Sequence, residues 1–196
     1  CYPQYRVLSL GDPDDKVIYL TFDAGYGNEN VKKILDTLKK HQAPAAFFIL
    51  PGIIRNSLEL VNRMFEEGHT VCNHTYSHRN IAAMTESQLS DELTKLESLC
   101  LEKTGREMSH YFRPPEGSFS EAALGKLCEM GYTTVFWSFA YADWDNSAQP
   151  DPQASLNRLL AHTHNGMVLL LHPTYATNAG ILDSFLTELE SRGYRF

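Results

Sequence analysis

The chain has 196 residues, with 17 Lys and Arg against 24 Asp and Glu, a formal net charge of −7. That length fits one domain, residues 1–196, with a sizeable core, and an acidic balance without a Lys/Arg-rich run excludes a nucleic-acid or anionic-membrane footprint. No apolar run approaches the roughly 20 residues of a membrane span.

A charged and apolar secretory leader is not seen, although the chain begins at Cys1 rather than Met, which leaves room for one before it. Four cysteines, Cys1, Cys72, Cys100 and Cys128, form no CxxC pair and no zinc-ribbon spacing. Buried free thiols are the expectation. A Cys100–Cys128 disulfide and a lipid-modified Cys1 are the alternatives.

In chain order, the apolar run at 17–22 predicts a buried strand, and Val31, Ile34, Leu35 and Leu38 recur at helical spacing over 28–41. A short apolar run follows at 45–50. A helix over 57–68 is expected to end at Gly68, before a strand at 69–73. TESQ (85–88) has capping-box form and opens a helix to about Thr104. Further on, the pattern predicts a strand near 110–112, a helix from Ser120 to Met130 and a strand at 132–138. A helix near 152–164, a strand at 167–172, a helix near 181–192 and a closing YRF complete it. About seven strand-then-helix units imply a parallel α/β sheet covered by helices, as a barrel or a doubly wound sheet.

The unusual polar residues fall at the strand ends. Asp23 follows the first predicted strand, His74 and His78 the third, Arg113 the fourth and Asp143 the fifth, while His172 ends the sixth. In a parallel barrel these ends share one rim, where catalytic groups collect. Singly, each has an ordinary explanation. Asp23 as a helix cap, His172 as a core histidine, Arg113 as a salt-bridge residue and Trp144 as packing are all common. HTYSH spaces two imidazoles for a divalent ion but lacks the Glu of HExxH, and NHT (73–75) is set aside as a chance glycosylation match.

Taken together, TFDAGY, HTYSH, RPPEG, ADW and LLH, in that order, resemble the polysaccharide deacetylases, also called the NodB-homology or carbohydrate esterase family four domain. The resemblance spans about 17–196 and implies an irregular (β/α) barrel of about seven parallel strands that removes acetyl groups from cell-wall or chitin-like sugars. It makes Asp23 the general base, His74 and His78 ligands of a divalent metal (zinc, cobalt or manganese), and Arg113 the group that orients Asp23. Asp143 then tunes the acid His172, with Tyr26, Glu116 and Trp144 lining the substrate site and a backbone N–H of the PPEG turn facing the oxyanion.

Most members carry a second Asp where Ala24 stands here, so weaker metal binding is implied. The form FDxGYxN resembles the muramic-acid deacetylases of spore-cortex δ-lactam synthesis, a branch that also departs at this position. Ala140 replaces another frequent Asp, and the negative charge of Glu116 speaks against an anionic muramic substrate. The resemblance thus implies a monomeric, extracytoplasmic hydrolase acting on N-acetylmuramic acid in cell-wall glycan, with no nucleic-acid partner and no membrane span. A deacetylase of N-acetylglucosamine or chitin oligomers, and a glycan-binding relative without turnover, are the alternatives.

Overall fold

The structure, a computed structural model, describes residues 3–196. Cys1, and with it the lipid alternative, lies outside the described residues. Eight parallel strands form one sheet in the order β1-β6-β5-β4-β3-β2-β8-β7, one strand more than the sequence pattern suggests. The strands are β1 (Val7–Leu8), β2 (Ile18–Ala24), β3 (Ala46–Ile49), β4 (Thr70–Asn73), β5 (Tyr111–Phe112), β6 (Thr133–Val135), β7 (Phe139–Ala140) and β8 (Met167–Leu171). The helices are α1 (Glu29–Lys40), α2 (Pro51–Asn56), α3 (Leu58–Glu66), α4 (Glu86–Thr104), α5 (Glu121–Glu129), α6 (Pro152–His162) and α7 (Ala176–Ser191).

Period-2 alternation along β2 decides what faces where. Ile18, Leu20, Phe22 and Ala24 join the main apolar cluster with Val31, Leu35 and Leu38 of α1 and Phe185 of α7. Thr21 and Asp23 take the other face, inside the curl of the sheet. A smaller cluster there, Phe48, Cys72, Val135 and Val168, fills the interior below the rim.

Of the run at 132–138, expected as one strand, only Thr133–Val135 is strand (β6); β7 begins beyond it at Phe139, and the residues between the two link the sides of the curled sheet. The Phe136 N–H donates to the Leu8 carbonyl at 2.7 Å, and the Ser138 N–H to the Val168 carbonyl at 2.9 Å, so this segment crosses from the β1 side to the β8 side. The carbonyls of Val135 and Phe136 meanwhile accept from the Arg113 guanidinium at 3.0 and 2.9 Å. A side chain thus takes the place of ladder partners at the break.

Helix boundaries follow local chemistry. The Asn28 side chain caps α1, and Thr85 with Gln88 forms the predicted capping box of α4. Helix α2 was not legible, because PG reads as a turn, yet Pro is well tolerated at a first helical position. Glycine is required here by proximity: a Cβ on Gly52 would meet the Gly25 carbonyl oxygen at 2.9 Å, and one on Gly27 would meet Ser57 Oγ at 2.4 Å. These close approaches bring the α2–α3 junction against the end of β2. Helix α7 begins at Ala176, earlier than the expected 181, because Asn178 anchors its first turn as described below. Cys72, Cys100 and Cys128 are free thiols, so the Cys100–Cys128 disulfide is absent; Cys128 is half-buried rather than buried.

Candidate active site at the barrel rim

Arg113 is fully buried directly after β5, and its guanidinium makes four hydrogen bonds. It donates to the Val135 and Phe136 carbonyls, to Thr21 Oγ1 at 2.9 Å and to Asp23 Oδ1 at 2.9 Å, and it lies 4.3 Å over the Phe48 ring. One oxygen of Asp23 is therefore held while the other, Oδ2, is left toward the rim. Burial by itself pushes the Asp23 carboxyl up, but the positive charge of protonated His74 and of Arg113 outweighs it and holds the pKa below the ordinary value. Burial holds His74 down in turn. At neutral pH His74 is uncharged, so the buried Arg113 guanidinium, together with His172 when protonated, supplies the positive charge that keeps Asp23 ionised.

The His74 ring is buried, and its Nδ1–H donates to the Arg113 carbonyl at 2.7 Å. That bond leaves the Nε2 lone pair 3.6 Å from Asp23 Oδ2. The His78 ring lies 5.0 Å from that of His74, centroid to centroid. A neutral imidazole fixed by a carbonyl on its far nitrogen has the tautomer of a metal ligand. The pair could offer a divalent ion two nitrogens, and no group of three or more His, Cys, Asp or Glu forms a metal cage among the described residues. Ala24 contributes no donor and is fully buried in the apolar cluster. Thr75 and His78 have φ of +74° and +57°, left-handed values that cost of order 1–3 kcal/mol each outside glycine.

Beyond β7, Asp143 is fully buried. Its Oδ1 accepts from His172 Nδ1 at 2.7 Å, and its Oδ2 accepts from the His172 N–H and from Asn178 Nδ2, each at 2.7 Å. Burial pulls the His172 pKa down, but the hydrogen bond and charge of Asp143 prevail and raise it above the ordinary histidine value. Trp144, 67% exposed, sets its ring edge-on to His172 at 6.4 Å. Tyr26, half exposed at the rim, is hydrogen-bonded to Asn146 of the same long loop. Glu116 is exposed, with φ +59°, in the 3-10 turn Pro115–Gly117; no hydrogen bond or ion pair joins it to the cluster among the described residues. The buried Asn73 donates through Nδ2 to the Leu93 carbonyl and Tyr132 Oη, which puts the NHT asparagine out of reach of modification.

The family model for polysaccharide deacetylases matches residues 10–135, which carry the Asp23, HTYSH and RPPEG positions. The chain belongs to the polysaccharide deacetylase family. Over 193 residues this deacetylase is 37% identical to the peptidoglycan-N-acetylmuramic acid deacetylase PdaA of Bacillus subtilis, an alignment covering 98% of the chain and 73% of PdaA. The structure of PdaA, described as a family 4 carbohydrate esterase, superposes with a TM-score of 0.95 over 100% of this chain and 83% of that one. The peptidoglycan-N-acetylglucosamine deacetylase of Bacillus cereus is 32% identical over 98% of this chain and 70% of its own. A carbohydrate esterase family 4 pseudoenzyme of Bacillus anthracis superposes at 28% identity with a TM-score of 0.87, covering 96% and 66%, and a mutant of it is described as having restored enzymatic activity.

Sequence reasoning missed two residues of this deacetylase that fix the site from behind. Thr21 donates to the Leu169 carbonyl at 2.6 Å and accepts from Arg113, tying the guanidinium to β8. Asn178 joins Asp143 Oδ2 to the His172 carbonyl at 3.0 Å, and its own Oδ1 accepts from Tyr141. A signal for Asn178 existed, since it shares the buried stripe of α7 with Ile181, Leu182, Phe185 and Leu189, where a lone amide needs partners. Thr21 carried none, because β-branched residues are ordinary in strands.

Proposed function

We propose that this polysaccharide deacetylase acts outside the cytoplasm and hydrolyses the N-acetyl groups of peptidoglycan strands, with N-acetylmuramic acid as the acetylated sugar. The observation that carries the reading is a pair of proton carriers biased in opposite directions beside the His74 and His78 rings: an ionised Asp23 and a protonation-favoured His172. The extent of the likeness to PdaA supports the muramic substrate.

When bound by His74 and His78, a divalent ion of zinc, cobalt or manganese type supplies carbonyl polarisation and a more acidic water. Asp23 Oδ2 would take the proton of the attacking water as the water oxygen bonds to the acetyl carbon, while Arg113 holds Oδ1 and keeps the carboxylate aimed. Gly117 and Ser118 give their N–H groups to the Pro114 and Pro115 carbonyls at 3.0 and 3.2 Å. The Glu116 N–H is not among these donors, and the reading assigns it to the developing oxyanion. His172 then delivers its Nε2 proton to the sugar nitrogen as the C–N bond breaks, and Asp143 stabilises the imidazolium until that transfer. Acetate and a free amine are the products.

A second reading, a glycan-binding relative without turnover, is favoured by Ala24 and by the pseudoenzyme of the same fold. Acetate release from defined glycan fragments, with muramic acid and glucosamine scored separately, separates the readings. Release from muramic acid supports the proposal. Release from glucosamine alone moves the substrate, and fragment binding without acetate supports the second reading. Asp23→Asn should lower turnover by about a hundredfold or more while the fold persists.

A further inference from the structure

Between His74 and His78 the backbone is neither helix nor strand, yet each of its N–H groups has a side-chain acceptor. The Thr75 N–H donates to Asn73 Oδ1 at 2.9 Å and the His78 N–H to Thr75 Oγ1 at 2.9 Å. The two amides at the centre go to a single atom outside the loop, Glu92 Oε2 of α4, which accepts from Tyr76 at 3.0 Å and from Ser77 at 2.8 Å. Glu92 Oε1 accepts from Ser77 Oγ at 2.8 Å, with Arg79 a further 3.5 Å contact. The carboxylate is buried on the apolar stripe of α4, beside Leu89, Leu93 and Leu96.

We propose that Glu92 is a positioning residue that clamps the 74–78 turn and so sets the distance and angle between the two imidazoles. Two observations carry this. A buried carboxylate is costly unless its acceptor positions are filled, and here they are filled by the loop that separates the histidines. The loop also holds Thr75 and His78 at left-handed φ, which only an over-determined surrounding maintains. With a two-imidazole donor set, loss of the clamp would be felt directly, since no protein carboxylate at position 24 fixes a third ligand direction.

The inference rests on the metal role proposed above, so the test has one arm that needs no metal. Three variants separate the explanations. Glu92→Gln keeps an oxygen where the two amides donate; Glu92→Asp keeps the charge but withdraws it by a methylene; Glu92→Ala removes both. In metal-free protein, amide hydrogen exchange at Tyr76 and Ser77 is expected to remain slow in Glu92→Gln and to accelerate tenfold or more in Glu92→Asp and Glu92→Ala. Zinc titration by calorimetry is expected to show the same order. Affinity should fall about 10- to 100-fold in Asp and Ala, the usual loss for an outer ligand-orienting group, and stay within a few-fold in Gln.

The opposite order, with Asp intact and Gln impaired, would assign Glu92 a charge effect and overturn the clamp. Unchanged exchange in Glu92→Asp would do the same. If the unsubstituted protein bound no zinc, the metal reading would fall, and the exchange arm alone would still decide whether Glu92 holds the turn.

Discussion

Asp143→Asn probes the proposed acid half of the site with almost no change of shape. Asp143 accepts three hydrogen bonds at 2.7 Å in a fully buried position, two of them from His172. An amide has one acceptor oxygen, so its NH₂ must face either the His172 ring or the N–H pair from His172 and Asn178. Facing the ring, it forces Nδ1 to accept and removes the charge that stabilises the imidazolium. Facing the pair, it leaves buried donors unpaired. A charge-assisted bond lost in this way costs about 1.5–3 kcal/mol, which should appear as lower stability to urea.

The kinetic sign is separate. Asp143 raises the His172 pKa in the folded protein, so the acid form is kept to higher pH than in free histidine. Without Asp143 the pKa falls, and the alkaline limb of kcat/KM moves to lower pH. The same raised pKa contributes stability that is present below the unfolded value of about 6.5 and lost as pH rises through the folded value, a dependence the variant should lack. Turnover at pH 7 should drop about 10²–10⁴-fold, the usual share of a general acid. The assay is acetate release from denuded glycan between pH 5 and 9, with metal held in excess. An alkaline limb that stays in place in Asp143→Asn would refute the assignment of His172 as acid.

Three other perturbations bear on the site. Arg113→Met should destabilise the fold by about 3–5 kcal/mol, because it leaves the Asp23 carboxylate and the Val135 and Phe136 carbonyls without their partner in the interior; a denaturant midpoint unchanged from that of the parent would refute this. Ala24→Asp places a carboxylate in a fully buried apolar setting, so metal-free protein should lose several degrees of Tm, and zinc should restore more of it than it adds to the parent. Equal zinc shifts in the two proteins would show that the side chain at 24 does not reach the histidine pair. Glu116→Arg should improve activity on free-lactyl muramic glycans relative to glucosamine oligomers, by less than about tenfold because the position is exposed; equal effects on both substrates would place residue 116 away from the lactyl group.

Much of this molecule is local chemistry that a chain carries wherever it folds. The capping box at Thr85, the helical stripes and the apolar strands are written in side-chain type and period, which is why α1, α4, α5, β2 and β8 were legible to within a residue or two at each end. The rim residues were legible for a different reason, since a parallel sheet has only one end at which its strands finish: His74, Arg113 and His172 each come directly after a strand, and Asp23, expected after its strand, is the next-to-last residue of β2. What remained hidden depends on partners distant in the chain. Strand β6 ends where Arg113, 22 residues before Val135, donates to its carbonyl, a separation longer than the windows of about 11–18 residues in which periodicity is read. Strand β1 is two residues long and exists only where β6 offers it a ladder. Asn178 and Glu92 occupy apolar stripes, and their amide and carboxylate become intelligible once the folded chain lays the Asp143 loop and the HTYSH turn against them. Period and composition specify which face of an element is buried; only the tertiary structure specifies which polar group waits there to be paired, because that pairing is a property of two segments at once.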